Sequence, residues 1–287
     1  MGFMSVVAAH RTLLRRLLPD DHPDDLSVRQ GQFHIVVIGA DRVVCLPRTH
    51  AAADRLPGRA TSLRTLAALG LGFRTPEPLL QSGADETPFL LLSRIPGEPL
   101  ENDALEDDRV VEAVAGEYAT LLSALARAGT NETVRAELPE APEGRWREFA
   151  ESVRAELFGL MSGDGRLRAE RELAALDDLP HLTQAVVHGD LGAENVLWEW
   201  RDGVPHLSGV IDWDEVTLGD QAEDFAAISA GYGREFLERV LALRSWSSRA
   251  LADRIAPIRE TFALQQALYA IRDGDEEELV DGLAGYR

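Results

Sequence analysis

Three short apolar runs, separated by a polar loop and a tight turn, constrain the folding of this 287-residue chain more than any other feature. The runs are Ala185–Val187, Val196–Trp198 and Leu207–Ile211. Their length and β-branched content predict strands, and the turn-forming sequence Arg201–Pro205 joins the last two into a hairpin. The polar loop 190–195 therefore lies beside the end of the strand that leads into residue 212.

Three side chains at this place suit phosphoryl transfer. The short step from Asp190 to Asn195 lets both converge on one site, which Asp212 approaches from the neighbouring strand. Transfer from ATP requires a divalent cation on the phosphates and a carboxylate that orients the acceptor hydroxyl. Carboxylate and amide oxygens are ligands for Mg²⁺. The pattern predicts an enzyme that uses ATP and Mg²⁺.

Two other metal sites fit the same residues poorly. A calcium loop that began at Asp212 would place Val216 and Thr217 where an oxygen ligand and a glycine are needed. His188 has no second histidine or cysteine at ligand spacing, so a hydrogen-bonded structural role is favoured over zinc binding.

The sequences His188–Asn195 and Ile211–Trp213 resemble the catalytic loop and the metal-binding motif of the aminoglycoside phosphotransferase family, which is related to the protein kinases. The resemblance implies an α+β, bilobal, protein-kinase-like fold with a small antiparallel-sheet N-lobe and a larger, mostly helical C-lobe. It implies that Asp190 is the catalytic base and that Asn195 and Asp212 hold magnesium.

The same resemblance assigns structural roles to His188, within the loop, and to Asp224, as a buried acid that braces the loop. It is greatest to the phosphotransferases that act on viomycin and capreomycin in antibiotic producers. The implied function is ATP-dependent phosphorylation of a hydroxyl on a cationic cyclic-peptide antibiotic, which gives self-resistance. Three alternatives stay open: an aminoglycoside kinase, a kinase of a small metabolite such as choline, and a nucleotide-binding pseudokinase.

The chain contains no lysine, so all 29 residues in the combined count of lysine and arginine are arginines. This excludes a P-loop and Schiff-base chemistry. It also departs from the family, in which a strand lysine paired with a helix glutamate holds the nucleotide phosphates. Alignment places Cys45 at the lysine position and Arg59 at the glutamate position.

Two arginines compete to replace the lysine. Arg59 would reach the phosphates from its helix, across the small Cys45. Arg48 lies just beyond the strand, which Pro47 bends. The alternative for Arg59 is an ordinary solvated helix residue.

Other nucleotide contacts are predicted in the first part of the chain. A short glycine loop around Gly31 is expected to cover the phosphates or to form a simple turn. The apolar run Pro88–Gly97 ends in Pro-Gly and marks a lobe boundary, with residues 1–95 binding the nucleotide and residues 96–287 carrying catalysis. The resemblance implies that the Ser93 carbonyl and the Ile95 amide contact adenine.

Periodicity predicts the remaining elements. In the first part these are a helix at Ala8–Leu18, strands at Phe33–Ile38 and Arg42–Leu46, and a helix ending at Leu69. In the second part they are helices at Arg109–Ala128, Arg145–Met161, Arg166–Leu176, Ala222–Ala242 and Ser248–Arg272.

The net charge of −20 disfavours nucleic acids and favours a cationic acceptor. The resemblance implies that this partner is a polycationic small-molecule antibiotic. The candidate acceptor-binding residues are Asp214, Glu215 and Glu194. The acidic run Asp273–Asp281 is either a further acceptor contact or a solvated helix start.

Neither a membrane-length apolar run nor a secretory signal is visible, and the single cysteine excludes an internal disulfide. We expect a cytoplasmic protein without a membrane partner. The sequence leaves the oligomeric state open.

Overall fold

A five-stranded antiparallel sheet, in the order β1-β2-β3-β5-β4, forms the first part of the chain. The computed structural model describes residues 3–287 apart from residues 32, 84, 245 and 247. The strands of the sheet are β1 (Ser27–Gln30), β2 (His34–Ile38), β3 (Arg42–Pro47), β4 (Pro78–Gln81) and β5 (Leu90–Ser93). In the β2–β3 pair Val36 lies opposite Cys45, so both side chains are presented on the same face of the sheet.

Helices cover both faces of this sheet. The first two are α1 (Phe3–Ala9) and α2 (Arg11–Leu17). Val6 of α1 and Leu14 and Leu17 of α2 share a buried cluster with Val37 and Val44. Helix α3 (His50–Ala68) lies against the other face, where Leu56, Ala60, Leu63 and Leu66 are buried in the same cluster as Cys45. Thr49 caps α3 by accepting a hydrogen bond from the amide of Ala52 at 3.1 Å.

The rest of the chain is mostly helical. Its helices are α4 (Asp108–Ala128), α5 (Glu132–Glu137), α6 (Arg145–Glu156), α7 (Gly163–Asp177), α8 (Ala222–Tyr232), α9 (Arg234–Leu243), α10 (Arg249–Glu260), α11 (Phe262–Asp273) and α12 (Glu276–Gly282). Helix α4 is a central element of the core, because Val114, Tyr118, Leu121 and Leu125 recur at helical spacing and are at most 1% exposed.

Two small sheets carry the catalytic segment. One is the antiparallel set of β6 (Glu98–Pro99), β8 (Val196–Arg201) and β9 (Val204–Val210), and the other pairs β7 (Ala185–Val187) with β10 (Thr217–Gly219). The predicted hairpin is confirmed, since β8 pairs with β9. Its two-residue turn has Asp202 at φ 52° and Gly203 at φ 74°, the left-handed geometry that matches strand twist.

Several predicted helices end earlier than expected. The helix expected at Ala8–Leu18 is interrupted at His10, so that Ala8 and Ala9 end α1 and α2 begins at Arg11. The helix Ala222–Ala242 is interrupted at Gly233, whose φ of 86° ends α8. The helix Ser248–Arg272 is interrupted at Thr261, whose hydroxyl donates to the carbonyl of Ile258 and so competes with the helix backbone. The helix Arg145–Met161 ends at Glu156 and continues as a 3₁₀ turn.

The predicted α+β, bilobal, kinase-like fold class is confirmed by the antiparallel sheet region followed by a mostly helical region. The lobe boundary between residues 95 and 96 stays a prediction. Within the described residues, no helix combines the length and the apolar character that crossing a membrane requires.

Candidate active site

A cleft of about 1140 Å³ lies between the five-stranded sheet and the helical region. The sheet contributes Val36, Val43 and Cys45 to its wall, and the catalytic segment contributes Asp190 and Asp212. The strand residues form an apolar wall of the cleft, and the carboxylates form a negatively charged wall. Such a site suits a ligand with a flat ring at one end and, at the other, a polyanionic group that binds through a metal ion held by the carboxylates.

The catalytic loop is held by its own amide side chain. Asn195 donates from Nδ2 to the backbone oxygen of Asp190 at 2.9 Å and to Asp190 Oδ2 at 3.0 Å. These bonds fix the direction of the Asp190 carboxylate. Desolvation raises the pKa of Asp190, and the charge of Glu194 adds to the rise. A carboxylate with a raised pKa is a better proton acceptor than an ordinary aspartate.

Asp224 on α8 braces the backbone of the loop at His188 and Gly189. It is 1% exposed, and its carboxylate accepts hydrogen bonds from the amides of His188 at 3.0 Å and Gly189 at 3.2 Å. Burial raises its pKa to about 7 against the opposing effect of these two donors. Gly189 has φ 87°, and a β-carbon there would lie 2.8 Å from the carbonyl oxygen of Glu215. The tight turn therefore requires glycine at this position.

His188 joins the loop to the end of β9. Its Nδ1 accepts from the amide of Asp190 at 3.2 Å, and its Nε2 lies 2.9 Å from the carbonyl oxygen of Ile211. These two partners require a neutral ring with the proton on Nε2. Complete burial lowers the pKa of His188 to about 4, which keeps the ring neutral. The geometry fits a structural role.

Asp212 follows β9 in an unusual backbone conformation. Its φ of 61° is rare for a residue other than glycine. The amide of Ile211 donates to the carbonyl of Asn195 at 2.9 Å, and the Trp213 indole donates to the carbonyl of Val210 at 2.9 Å. Trp213 also packs against His188 with ring centroids 4.5 Å apart. These contacts hold the Asp212 carboxylate towards the cleft that it lines.

The residues present fit a magnesium ion that shares its coordination with phosphates. Since Asn195 uses Nδ2 for its two hydrogen bonds, its Oδ1 is left as an oxygen ligand. Burial raises the pKa of Asp212 to about 6, and the charge of Asp214 adds to the rise, which a cation would relieve. Across the described residues, no group of three or more His, Cys, Asp or Glu side chains could hold a metal alone. Magnesium commonly relies on substrate phosphates in this way.

The two candidate phosphate-binding arginines occupy different places. Arg59 lines the cleft, lies beside Cys45 and forms an ion pair through Nε with Asp214 Oδ1. Arg48 is exposed and donates to the carbonyl of Gly31 at 2.9 Å. It therefore supports the glycine loop, in which residue 32 lies outside the described residues. Of the two, Arg59 is the one among the described residues that line the cleft, and its role in phosphate binding stays a prediction.

The predicted adenine contacts lie at the back of the cleft. Ser93 ends β5 and Ile95 follows two residues later, and both line the cleft. The Ser93 amide donates to the carbonyl of Glu77 at 2.9 Å, and the Ser93 hydroxyl accepts from the Glu77 amide at 2.8 Å. The connector is thus fixed to the neighbouring chain.

The three candidate acceptor-binding residues all line the cleft, but one of them is held in contacts with other side chains. Glu194 and Glu215 line the cleft as expected. Asp214 lines it too, but its carboxylate is paired with Arg59 and with His34, whose Nδ1 lies 3.3 Å from Asp214 Oδ2. Burial tends to raise the pKa of Asp214, but His34 and Arg59 outweigh it and lower that pKa. These contacts favour a structural ion pair, and an acceptor role for Asp214 stays a prediction.

Residues that the sequence did not single out complete the acceptor side. Glu148 on α6 and Glu223 on α8 line the cleft, and Glu223 is paired with Arg145. Tyr269 on α11 is 49% exposed and lies close enough to Asp190 for that charge to affect its pKa. The position of Glu223 beside the bracing Asp224 was the one sequence signal available for it.

The acidic run Asp273–Asp281 instead extends from the last residue of α11 through most of α12. Asp275 caps this helix by accepting from the amide of Glu278 at 3.1 Å. None of the run is among the described residues that line the cleft. The solvated helix start is therefore the interpretation that the structure favours.

Comparisons of the sequence with known proteins identify phosphotransferases as relatives of this chain. The family model described as the phosphotransferase enzyme family, APH, matches residues 23–254. Viomycin phosphotransferase from Streptomyces vinaceus is 67% identical over 287 residues, which cover 99% of this chain and 100% of that protein.

Solved structures with the same fold are much less similar in sequence. A GDP and kanamycin complex of APH(2")-IIia has a TM-score of 0.82 at 20% identity, with 96% of each chain covered. A macrolide 2'-phosphotransferase type I has a TM-score of 0.72 at 22% identity, covering 100% of this chain and 98% of that one. At these identities the likeness shows the shared fold.

Proposed function

The chain belongs to the phosphotransferase enzyme family, and from this premise we propose that it transfers the γ-phosphate of ATP to a hydroxyl of a cationic cyclic-peptide antibiotic of the viomycin and capreomycin class. The observation that carries the proposal is the 67% identity to viomycin phosphotransferase over essentially the whole chain. Phosphorylation would inactivate the antibiotic and give resistance to the cell that holds the enzyme.

The charge of the acceptor side supports a cationic substrate. Glu148, Glu194, Glu215 and Glu223 line the cleft, and among the described residues Glu223 is the one of these four that forms an ion pair, with Arg145. Burial raises the pKa of Glu215, and Asp214 adds to the rise. Carboxylates crowded in this way are relieved by the ammonium or guanidinium groups of a bound polycation. The net charge of −20 attracts such a molecule from solution.

The proposed chemistry is direct transfer between two bound substrates. Asp190 orients the acceptor hydroxyl and accepts its proton as the oxygen attacks the γ-phosphorus in line. Asn195 keeps the Asp190 carboxylate in position through its 3.0 Å bond to Oδ2. Magnesium held by Asn195 Oδ1 and Asp212 would neutralise charge on the phosphate oxygens. No residue of the chain needs to carry the phosphoryl group itself.

The two sides of the cleft divide the work. Residues 1–95 hold the nucleotide, with adenine against the strand residues and the backbone at Ser93 and Ile95. Residues 96–287 hold the acceptor and the catalytic groups. A cytoplasmic location follows from the ATP requirement and agrees with the buried, free Cys45.

The test is magnesium-dependent ATP consumption with mass spectrometry of the acceptor, using viomycin, capreomycin, kanamycin and an erythromycin-type macrolide in parallel. Addition of one phosphate to the two cyclic peptides and not to the others supports the proposal. Transfer to kanamycin would instead favour an aminoglycoside enzyme, and turnover of choline-like acceptors alone a metabolite kinase. ATP binding without transfer to any acceptor would favour the pseudokinase.

A further inference from the structure

Four side chains form a buried polar cluster where the sheet, α3 and the segment after Asp212 meet. They are His34 on β2, Cys45 on β3, Arg59 on α3 and Asp214. The side chains of His34, Arg59 and Asp214 are 7%, 13% and 16% exposed. Asp214 contacts both the Arg59 guanidinium and the His34 ring, whereas Cys45 lies beside the Arg59 guanidinium as a hydrogen-bond partner. One carboxylate thus holds two basic groups from different elements.

The cluster is not satisfied by the protein alone. Arg59 Nη1 and His34 Nε2 are buried and have no hydrogen-bond partner in the part of the chain that the structure describes. A buried donor without a partner costs free energy, and the cost is higher when the donor is charged. Both residues line the cleft. An anionic ligand in the cleft would accept a hydrogen bond from Arg59 Nη1, and from His34 Nε2 in the doubly protonated form of the ring, whose Nδ1 faces Asp214.

Electrostatics place these donors next to the proposed metal-binding carboxylate. Arg59 and His34 are the two basic groups that act to lower the pKa of Asp212. Of the other arginines of the cleft, Arg145 is paired with Glu223 and Arg272 with an acid outside the cleft. Arg94 donates to the carbonyls of Gly39 and Ala40, and Arg29 is an exposed residue of β1. The chain offers no lysine for the purpose. Phosphates bound at Asp212 would therefore meet Arg59 and His34.

We propose that Arg59 and His34 bind the phosphate oxygens of the nucleotide and that Asp214 is the positioning residue that holds both. The inference rests on the proposed use of ATP. The Arg59 guanidinium would present its planar fork to the phosphates, and the His34 ring would add a donor from β2. The small Cys45 leaves the space that the guanidinium occupies. In this arrangement the phosphate-binding cation, Arg59, lies on helix α3, and its acidic partner, Asp214, lies just after Asp212.

The experiment compares the binding of magnesium-ATP and of adenosine to the full chain by titration calorimetry. Arg59→Ala should weaken ATP binding about tenfold to a hundredfold, because a charged hydrogen bond is lost. Adenosine carries no phosphate, so its affinity should stay unchanged. Arg64→Ala, an exposed arginine on the same helix, is the matched control and should alter neither ligand. Equal weakening of both ligands, or unchanged ATP binding, would overturn the proposal.

Three further variants separate binding from folding. His34→Leu should weaken ATP and spare adenosine, whereas His34→Gln retains a side-chain donor and should recover part of the loss. Asp214→Asn should lower the preference for ATP over adenosine, which a merely structural defect would leave unchanged.

A charge relocation is the most direct check. The double variant Cys45→Lys/Arg59→Glu returns a cation to β3 and an acid to α3, and should bind ATP more tightly than Arg59→Ala. A folded double variant that binds ATP no better than Arg59→Ala would contradict the assignment. If the wild-type protein binds ATP but phosphorylates none of the antibiotics, the proposed acceptor is wrong and this binding test is unaffected.

Discussion

The catalytic loop and the Arg59 cluster line the same cleft but are built in opposite ways. In the loop, Asp224, His188 and Asn195 meet backbone or neighbouring groups in hydrogen bonds of 2.9 to 3.2 Å. In the cluster, two basic side chains share one carboxylate and keep donors without partners. The loop is therefore arranged before any ligand arrives, whereas the cluster would be completed by the phosphates that we propose it binds. Substitutions in the two regions should separate catalysis, stability and nucleotide binding.

The largest effect is expected from Asp190→Asn. The amide keeps the shape of the side chain but cannot accept the hydroxyl proton, so kcat should fall by about 10²- to 10⁴-fold. The dissociation constant of ATP should stay within about twofold, because Asp190 lies on the acceptor side of the site. Steady-state kinetics with viomycin, together with calorimetry of ATP, measures both. Near-normal turnover would show that Asp190 is not the base.

Asp224→Ala should break the support of the loop. Two buried amides, those of His188 and Gly189, would lose their acceptor, and the free energy of unfolding should fall by about 2–4 kcal/mol. Urea denaturation followed by circular dichroism gives the value. The matched control is Asp178→Ala at an exposed position, where a change within about 0.5 kcal/mol is expected. Equal stability of the two variants would contradict the bracing role.

The pH dependence of stability should distinguish His188 from the rest of the loop. Its pKa is about 4 in the folded protein and 6.5 in an unfolded chain, so the neutral ring stabilises the fold above pH 6.5. This contribution is lost as the pH falls from 6.5 towards 4. The difference in unfolding free energy between wild type and His188→Asn should shrink over that range by about 3 kcal/mol. A pH-independent difference would show that the buried ring is not kept neutral.

The smallest effect on stability is expected in the Arg59 cluster. Replacing both members of the buried ion pair, in Arg59→Met/Asp214→Leu, should change the free energy of unfolding by about 0–2 kcal/mol and in either direction, because two desolvated charges are removed together. The rise in Tm that magnesium-ATP produces in the wild type should be much reduced in this variant. If the double variant is severely destabilised in the absence of ligand, the cluster is needed for the stability of the fold, as the contacts of the loop are.

The two regions also differ in how far the sequence predicts them. The family resemblance of His188–Asn195 and Ile211–Trp213 is confirmed by the family match, and the β8–β9 hairpin by the structure. These features were predictable because strand, turn and polar loop follow one another within a short stretch. The roles of the individual site residues stay predictions.

The cluster was harder to predict. Arg59 and Cys45 were paired by alignment, but His34 and the engagement of Asp214 were not foreseen. They depend on contacts between residues far apart in the chain, which neither spacing nor periodicity records. For the same reason Glu223 was missed. The interruption of the helix at Gly233 depends on a backbone angle that a single glycine permits without requiring.

The contact between Cys45 and Arg59 limits how this lineage can change. A lysine at residue 45 beside an intact Arg59 would bury two like charges side by side. A glutamate at residue 59 with Cys45 in place would leave the proposed phosphate site without its arginine. Each single step towards a strand lysine with a helix acid is therefore worse than either end state. The two positions form an epistatic pair, in which only a concerted replacement crosses from one solution to the other.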